Sequence, residues 1–351
     1  MKSVKYEFAE KILQGGGSRI VWVDVLKGIF LLFICFSHCG YVLPALRVIV
    51  MQTGSYWVPI FFILSGYLFV MKKNDTTKSY IKKKSRSLLL PYLFFCILFI
   101  LLDPNTYIVA GCFERNLNRM LFCGSGVEKA SPLWFVFSLY ISSVFAFFIL
   151  HIIKIFSMLI TVALATFVLY QPPLDPNGAC MWIIALSAVA FIVSGYYLKC
   201  FLVYFNTWNV FFKLVTVSVC CVVGTYGIWG DNIGDFHLNV INNYPPLLYV
   251  SPVFLAFFLM VVFTNIERFL IDKVFTKIFT YVARNGIVIL SVHLYLIYVY
   301  DFAMKALGVN LSDNLNFVFK IFFLCASFYY IVIPFSNRYL WFVLGYPCRK
   351  Y

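Results

Sequence analysis

The stretch VDVLKGIFLLFICFSHCG, residues 23–40, is almost continuously apolar and yet contains Asp24, Lys27 and His38. A charged side chain at the centre of a membrane span costs about 2.5–3.5 kcal/mol on insertion scales. Asp24 and Lys27 are three residues apart, so they lie on one side of a helix and are able to pair with each other. Mutual neutralisation is one interpretation of this pair, and a role in binding or catalysis is the other.

His38 follows Lys27 at a spacing of about three helical turns, so the two side chains share a face and are separated by about 16 Å along the axis. In a predicted span over 20–45, Lys27 lies near one membrane interface and His38 lies around or beyond the midplane. A single buried histidine is often only a satisfied core residue. The face shared with Lys27 favours a function for His38.

The composition of the whole chain is that of a membrane protein. Of its 351 residues, 62% are hydrophobic and 12% are charged, about half the charged fraction of a soluble domain. Continuous apolar runs of membrane-crossing length favour helices over barrel strands, whose residues alternate. We predict an all-α polytopic membrane protein in which a single transmembrane domain, 20–336, lies between an N-terminal segment, 1–19, and a tail, 337–351. The ten predicted transmembrane helices are 20–45, 54–71, 88–103, 133–153, 155–170, 179–198, 209–229, 247–264, 286–303 and 316–336.

The net charge of +14 is distributed unevenly. With ten spans, 21 of the 28 Lys and Arg residues fall on the side of both termini and five on the opposite side. The positive-inside rule therefore predicts that both termini are cytoplasmic, and we expect no nucleic acid as a partner. The largest basic cluster, 72–86, is typical of a segment that binds anionic membrane lipids; docking of a polyanion such as the phosphates of coenzyme A is the alternative.

Two segments, FFILSGYLFVMKK at 61–73 and FIVSGYYLKC at 191–200, are weakly alike. Small residues let helices approach closely in lipid, so we interpret the Ser-Gly pair of the second segment as a packing contact. The alternative is the trace of an internal repeat, which is typical of transporters.

The remaining polar features leave alternatives open. The polar segment 230–246 is either a sugar-binding loop or a solvated turn region. Cys112 and Cys123 share one predicted outside loop, where they are either a disulfide or two thiols. The four histidines are scattered, so we expect no metal site. His293 is the second histidine inside a predicted span, eight residues beyond Asn285.

Five segments together resemble the acyltransferase 3 family of integral membrane acyltransferases, in particular its fucose 4-O-acetylase-like branch. They occur in the family's order across nearly the whole chain: RIVWVDVLKGIFLLFICFSHCG at 19–40, VPIFFILSGYLF at 58–69, KKKSRSLLLPY at 82–92, SPLWFVFSLY at 131–140 and YVARNGIVILSVH at 281–293.

The resemblance implies a membrane O-acyltransferase that moves an acyl group, commonly acetyl, from acyl-CoA to a hydroxyl of a carbohydrate or lipid-linked glycan. The acceptor would be a cell-envelope or exported polysaccharide, and the location a bacterial inner membrane. Acyl-CoA would be the donor substrate, with no tightly bound cofactor. In much of the family the cation eleven residues before the histidine is arginine; Lys27 keeps the charge but loses bidentate phosphate geometry.

The resemblance also implies roles for individual residues. His38 would be the general base, and Asp24 and Lys27 would hold the donor or orient the start of the helix. Candidates for binding the phosphates of acyl-CoA are Arg19, Lys82, Lys83, Lys84 and Arg86. Candidates for lining the substrate site are Ser65, Trp134, Asn285 and His293.

A second class of function fits the same pattern. A transporter or flippase for a lipid-linked sugar also has about ten spans, intramembrane charges and polar outside loops. A lipid-embedded scaffold is a third possibility, but it leaves His38 unexplained.

Overall fold

The computed structural model describes residues 20–70, 76–103, 113–125, 127–172, 181–229, 234–236, 239–241, 246–271 and 273–344. The predicted N-terminal segment with Arg19, the end of the predicted tail and Cys112 lie outside the described residues. The described part is helical except for turns and one short antiparallel pair, β1 (Gly234–Asp235) and β2 (Val240–Ile241). The predicted all-α class is confirmed.

The first half of the chain contains eight helices, counted over the described residues: α1 (Val21–Ser37), α2 (Pro44–Val50), α3 (Val58–Tyr67), α4 (Thr77–Lys84), α5 (Leu90–Leu102), α6 (Phe113–Asn118), α7 (Trp134–Ile152) and α8 (Ser157–Leu169). Single π-helical turns, Thr53–Trp57 and Ser85–Leu89, lead into α3 and α5. A proline begins α2, where a missing N–H leaves no helical hydrogen bond unmade. Pro59 of α3 and Pro91 of α5 directly follow the π-helical turns.

The second half of the described chain contains α9 (Met181–Phe205), α10 (Val210–Trp229), α11 (Leu247–Leu270), α12 (Val274–Arg284), α13 (Gly286–Ala306), α14 (Asp313–Ser327) and α15 (Ile333–Tyr339). A π-helical turn, Phe328–Val332, makes α14 and α15 one continuous helical stretch.

Eight helical stretches in the described residues are long and apolar enough to cross a membrane: Pro44–Tyr67, Thr77–Leu102, Ser131–Ile152, Met181–Phe205, Val210–Ile228, Leu247–Leu270, Gly286–Ala306 and Asp313–Tyr339. The chain is therefore a multi-pass membrane protein. The other two predicted spans form shorter helices, α1 with 17 residues and the stretch Lys154–Leu169. The number of crossings and the side of the termini stay predictions.

The expectation that the first span continues to residue 45 is wrong. Helix α1 ends at Ser37, and the next helix begins at Pro44. Gly40 has φ +83°, a left-handed conformation that glycine adopts without strain, so the chain turns directly after His38. His38 therefore lies in a turn at the end of a helix and not within one.

Two further boundaries differ from the prediction. The third predicted span, 88–103, belongs to a helical stretch that begins at Thr77, so the basic residues 82–86 are helical. The predicted loop around 274–284 is the amphipathic helix α12, whose close mixture of charged and apolar residues hides it from a search for long apolar runs. Helix α12 packs on α1 at Gly28, where an added Cβ would collide with the backbone of Phe279.

The two Ser-Gly segments lie against each other in the centre of the bundle. An added Cβ at Gly66 of α3 would collide with the carbonyl oxygen of Ile192, and one at Gly195 of α9 would collide with that of Ile63. The weak likeness between the segments thus coincides with one helix crossing where two glycines allow backbone contact. The interpretation of the second Ser-Gly pair as a packing contact is confirmed.

Replacing Gly195 by alanine is expected to lower the unfolding temperature, because the new methyl group meets the Ile63 carbonyl and forces α3 and α9 apart. Overpacking of this kind typically costs about 1–3 kcal/mol. The measurement is thermal unfolding of the purified protein in detergent micelles. Gly286→Ala is the matched control, since its Cβ would meet only the Leu31 side chain at an ordinary 3.5 Å. Equal unfolding temperatures for Gly195→Ala and the native protein would contradict the expectation.

Candidate active site

His38 faces an open cavity at the end of α1. Its backbone N–H donates to the Cys35 carbonyl at 3.3 Å, which continues the helix by one residue, and its side chain is exposed. The cavity, here called the upper cavity, has a volume of about 250 Å³. Its wall includes His38, Ser37, Gly54, Trp134, Phe135 and Leu290. The imidazole is thus accessible to a substrate and not packed away as a core residue.

His293 lies beside His38 and is fully buried in α13. The centroids of the two imidazole rings are 5.3 Å apart. His293 Nδ1 lies 2.9 Å from the Leu290 carbonyl oxygen and 3.1 Å from that of Ile289. Because a carbonyl only accepts, Nδ1 carries the hydrogen and Nε2 is left as an acceptor. Within the described part of the chain, that Nε2 has no hydrogen-bond partner.

Lys27 and Ser65 line a second cavity of about 150 Å³, here called the lower cavity. Ser65 donates its hydroxyl hydrogen to the Phe61 carbonyl at 2.8 Å. The lower and upper cavities share Ile34, Phe135 and Leu290 in their walls. The face of α1 that carries Lys27 and His38 is therefore lined by two adjoining cavities, one at each residue.

Trp134 stands at the start of α7, where the chain passes from the 3-10 turn Glu128–Leu133 into the helix. The side chain is buried and forms part of the upper cavity wall. The neighbouring Phe135 borders both cavities. The SPLWF segment thus contributes Trp134 to the upper cavity and Phe135 to the wall that the two cavities share.

The basic cluster divides into two groups. Lys84 is half-buried, with its ammonium 5.7 Å from the centre of the Tyr80 ring, and it lies close enough to Lys27 for the two positive charges to interact. Lys82, Lys83 and Arg86 are exposed. Of the predicted phosphate ligands, the structure therefore brings Lys84 near Lys27, which lines the lower cavity, and leaves the other three on the surface. Arg19 lies outside the described residues.

Two carboxylates lie at the start of α1. Asp24 is half-buried in its first turn, and Glu267 of α11 accepts a hydrogen bond from the Trp22 backbone N–H at 3.5 Å. Negative charge at a helix N-terminus is stabilised by the helix dipole. Glu267 was not predicted as a site residue, because its place beside α1 depends on the packing of α11.

Asn285 forms the corner between α12 and α13. Its Nδ2 donates to the Tyr281 carbonyl at 2.8 Å, and its Oδ1 accepts from Asn337 of α15 at 3.1 Å. The side chain is buried. These contacts join α12, α13 and α15 at Asn285, and its predicted place at the substrate site stays a prediction.

Lys320 and Asp301 form an ion pair near His38 that the sequence analysis did not assign to the site. Lys320 Nζ lies 2.7 Å from Asp301 Oδ1 and donates to the Cys39 carbonyl at 3.3 Å. The signal that would have found them is an acid and a base within neighbouring predicted spans, since such residues are costly in lipid and are usually paired.

A larger cavity of about 510 Å³ lies between α8, α9 and α11. Its wall is apolar apart from hydroxyl groups such as Thr161, Ser194 and Tyr249, so it offers no base for group transfer. Among the described residues, no group of three His, Cys, Asp or Glu side chains is placed to hold a metal ion. The two cavities along α1 are the candidate active site.

The fold and this site define a multi-pass membrane protein with a histidine at one of two adjoining cavities and a lysine at the other. The family model of the acyltransferase 3 family, described as an acyltransferase domain, matches residues 20–337. The chain therefore belongs to the acyltransferase 3 family and is a membrane acyltransferase. No curated protein and no solved structure matches the chain. The fucose 4-O-acetylase-like branch stays a prediction.

Replacing Asn337 by alanine is expected to lower the unfolding temperature, because it removes the hydrogen bond to Asn285; a hydrogen bond between neutral groups contributes about 1 kcal/mol. Asn285→Ala should lower the unfolding temperature further, because it also removes the hydrogen bond to the Tyr281 carbonyl. The double variant should lose little more than Asn285→Ala alone, which a double-mutant cycle in detergent measures. An Asn285→Ala variant that keeps its unfolding temperature and loses only activity would instead indicate a substrate contact.

Proposed function

We propose that the protein is an O-acyltransferase that moves an acetyl group from acetyl-CoA to a hydroxyl of a carbohydrate. The observation that carries the proposal is the pair of adjoining cavities along α1, which join a lysine-lined end to a histidine-lined end. A donor with an anionic head, a slender arm and a thioester at its tip matches this order of groups. Membership of an acyltransferase family supports the same reaction class.

The lower cavity is the proposed site for the anionic part of the donor. Lys27 lines this cavity, and Lys84 lies near enough to Lys27 for the two positive charges to interact. Two neighbouring lysines attract a phosphate or pyrophosphate group and are able to donate charge-assisted hydrogen bonds to it. The exposed Lys82, Lys83 and Arg86 would attract the nucleotide end or anionic lipid from the same side.

The arm of the donor would pass Ile34, Phe135 and Leu290 and bring the thioester to the upper cavity. There the neutral imidazole of His38 takes the proton of the acceptor hydroxyl as its oxygen attacks the thioester carbon. The C–S bond breaks, the oxygen–acyl bond forms, and His38 returns its proton to the leaving thiolate of coenzyme A. The step needs no other reactant, because one imidazole is able both to take a proton and to return it.

The acceptor is proposed to enter from the segment 230–246. The backbone N–H of Phe236 donates to the Gly54 carbonyl at 3.3 Å, and Gly54 lines the upper cavity. Phe236, one of the few described residues of this segment, is thereby attached beside the upper cavity, and this contact supports the sugar-binding alternative over a loop without function. Asp231, His237, Asn242 and Asn243 lie outside the described residues. By resemblance to the family, we propose a cell-envelope or exported polysaccharide as acceptor and a bacterial inner membrane as location.

His38→Ala is expected to lower kcat by about 10² to 10⁴, the usual contribution of a general base. Binding of acetyl-CoA should change little, because its anionic part contacts the opposite end of the cavities. The measurement is release of the coenzyme A thiol by the purified protein with a glycan acceptor, alongside calorimetric binding of acetyl-CoA. His151→Ala, at an exposed histidine at the end of α7, is the control. Full turnover by His38→Ala would refute the assignment of His38.

Lys27→Met and Lys84→Met are each expected to raise KM for acetyl-CoA by about tenfold or more, because a hydrogen bond to a charged group contributes about 1.5–3 kcal/mol. Lys27→Arg should restore most of the affinity, since arginine is the usual residue of the family at this position. Lys277→Met, at an exposed lysine of α12 outside the basic cluster, is the control. If Lys27 only neutralises Asp24, its replacement will lower the unfolding temperature and leave KM unchanged.

The transporter alternative is tested by the same purified protein. An acyltransferase binds acetyl-CoA saturably and releases its thiol when an acceptor is present, whereas a sugar transporter does neither. Mass analysis of surface glycans from cells with and without the gene then identifies the acceptor through the loss of 42 mass units per acetyl group, roughly the mass of C₂H₂O. Saturable binding of acetyl-CoA without any acetylated glycan would support acetyl-CoA as the donor and contradict a carbohydrate as the acceptor.

A further inference from the structure

Lys320 of α14 is enclosed by three different partners. Its ammonium lies 2.7 Å from Asp301 Oδ1 of α13, 3.3 Å from the Cys39 carbonyl oxygen and 5.5 Å from the centre of the Tyr300 ring. The Lys320 side chain is 6% exposed. Asp301 is about half exposed, at 49% of its side chain. The lysine is thus the buried member of the pair, and its geometry is set by α13 and by the turn after α1.

Stability alone is a weak reason for this arrangement. Removing a cation from water costs free energy that an ion pair often only offsets, and apolar residues of similar volume are frequently as stable. Ionisable residues within membrane segments therefore usually indicate a function. The contact that distinguishes this pair from an ordinary structural one is the hydrogen bond to Cys39.

The Cys39 carbonyl belongs to the turn that carries His38. One hydrogen bond to this oxygen comes from the Tyr41 backbone N–H at 3.1 Å and the other from Lys320, so both of its lone pairs have partners. The Cys39 N–H donates to the Phe36 carbonyl at 3.0 Å. The turn is therefore tied to α1 on one side and to α14 on the other, with a side-chain donor supplying the only connection described here between Cys39 and α14.

Helix α13 determines the surroundings of His38 twice. It carries His293, whose ring centroid lies 5.3 Å from that of His38. It also carries Asp301, which pairs with Lys320, the residue that donates to the Cys39 carbonyl in the turn. Movement of the turn relative to α13 would change the distance from His38 to His293 and to the shared cavity wall at Leu290. A displacement of about 1 Å in a catalytic group can cost about 10² in rate.

We infer that Lys320 is a positioning residue for His38: it fixes the catalytic turn through the Cys39 carbonyl, and Asp301 fixes Lys320. The inference rests on the proposed function of His38 as general base. Neither residue contacts the reacting atoms, so their effect is on the placement of the imidazole and not on the chemistry itself.

Lys320→Met is expected to lower kcat by about 10² and to leave KM for acetyl-CoA within about twofold, because the donor is held at Lys27 and Lys84. Lys320→Arg, which keeps a cationic donor, should recover most of kcat. Lys305→Met, at an exposed lysine of α13, is the matched control and should behave as the native protein. Native kcat in Lys320→Met would overturn the inference.

Exchanging the two residues, D301K together with K320D, separates positioning from stability. The exchange keeps an ion pair between α13 and α14 but places a carboxylate, which only accepts, against the Cys39 carbonyl. We expect an unfolding temperature no lower than that of Lys320→Met, because opposite charges still face each other, and a kcat as low as that of Lys320→Met. Recovery of kcat by the exchange would mean that the pair merely stabilises the bundle, which overturns the inference even if Lys320→Met does not fold.

Hydrogen exchange followed by mass spectrometry tests the same idea without activity. In Lys320→Met, the peptide that covers residues 38–43 should exchange several-fold faster, while peptides from α1 and α9 stay unchanged; Lys305→Met should show no difference. If the native protein shows no transferase activity, the proposed function is refuted, but the hydrogen-exchange comparison still reports whether Lys320 restrains the turn. Unchanged exchange in Lys320→Met, in an active native protein, would refute the positioning role alone.

Discussion

Polar groups inside an apolar helix bundle must find their partners within the protein, and this constraint governs the structure. Lipid supplies no hydrogen bonds, so an unsatisfied polar atom there costs several kcal/mol. The Lys320 ammonium has Asp301 and a backbone carbonyl, and His293 Nδ1 has two carbonyls. Each of these contacts connects one helix to another or fixes a ring. The polar residues that are costly to bury are thereby the residues that determine the geometry of the site.

The site exists because α1 ends early. Helix α1 stops at Ser37, His38 follows as its C-cap residue at the wall of the upper cavity, and the chain turns away at Gly40. A turn is more mobile than a helix, and a general base needs a defined position. The contacts from α13 and α14 to this turn resolve the conflict, since they restrain the turn without filling the cavity.

Much of the fold followed from hydropathy, because every predicted apolar run contains a helix. One error, the end of α1, falls at the turn around Gly40, and the other two fall where helices are not apolar. Helix α12 mixes charged and apolar residues along its length, and the stretch Thr77–Leu102 begins with lysines before its apolar part. Of the site, the face shared by Lys27 and His38 was predictable from helical spacing, and Ser65, Trp134 and His293 from the motifs of the family. Asn285 belongs to the same motif as His293, yet it joins helices, because its neighbour in space is Asn337.

The sequence by itself determined the membrane class, the position of nearly all helices, the depth difference between Lys27 and His38 and the resemblance to an acyltransferase family. These properties depend on composition, on local periodicity and on motifs within single segments. Only the tertiary structure decided that His293 lies beside His38, that Lys84 approaches Lys27, and that Lys320 reaches the Cys39 carbonyl across 281 positions of sequence. Such contacts depend on how helices pack against one another, and in a bundle whose surfaces are all apolar the hydrophobic pattern does not distinguish one partner from another.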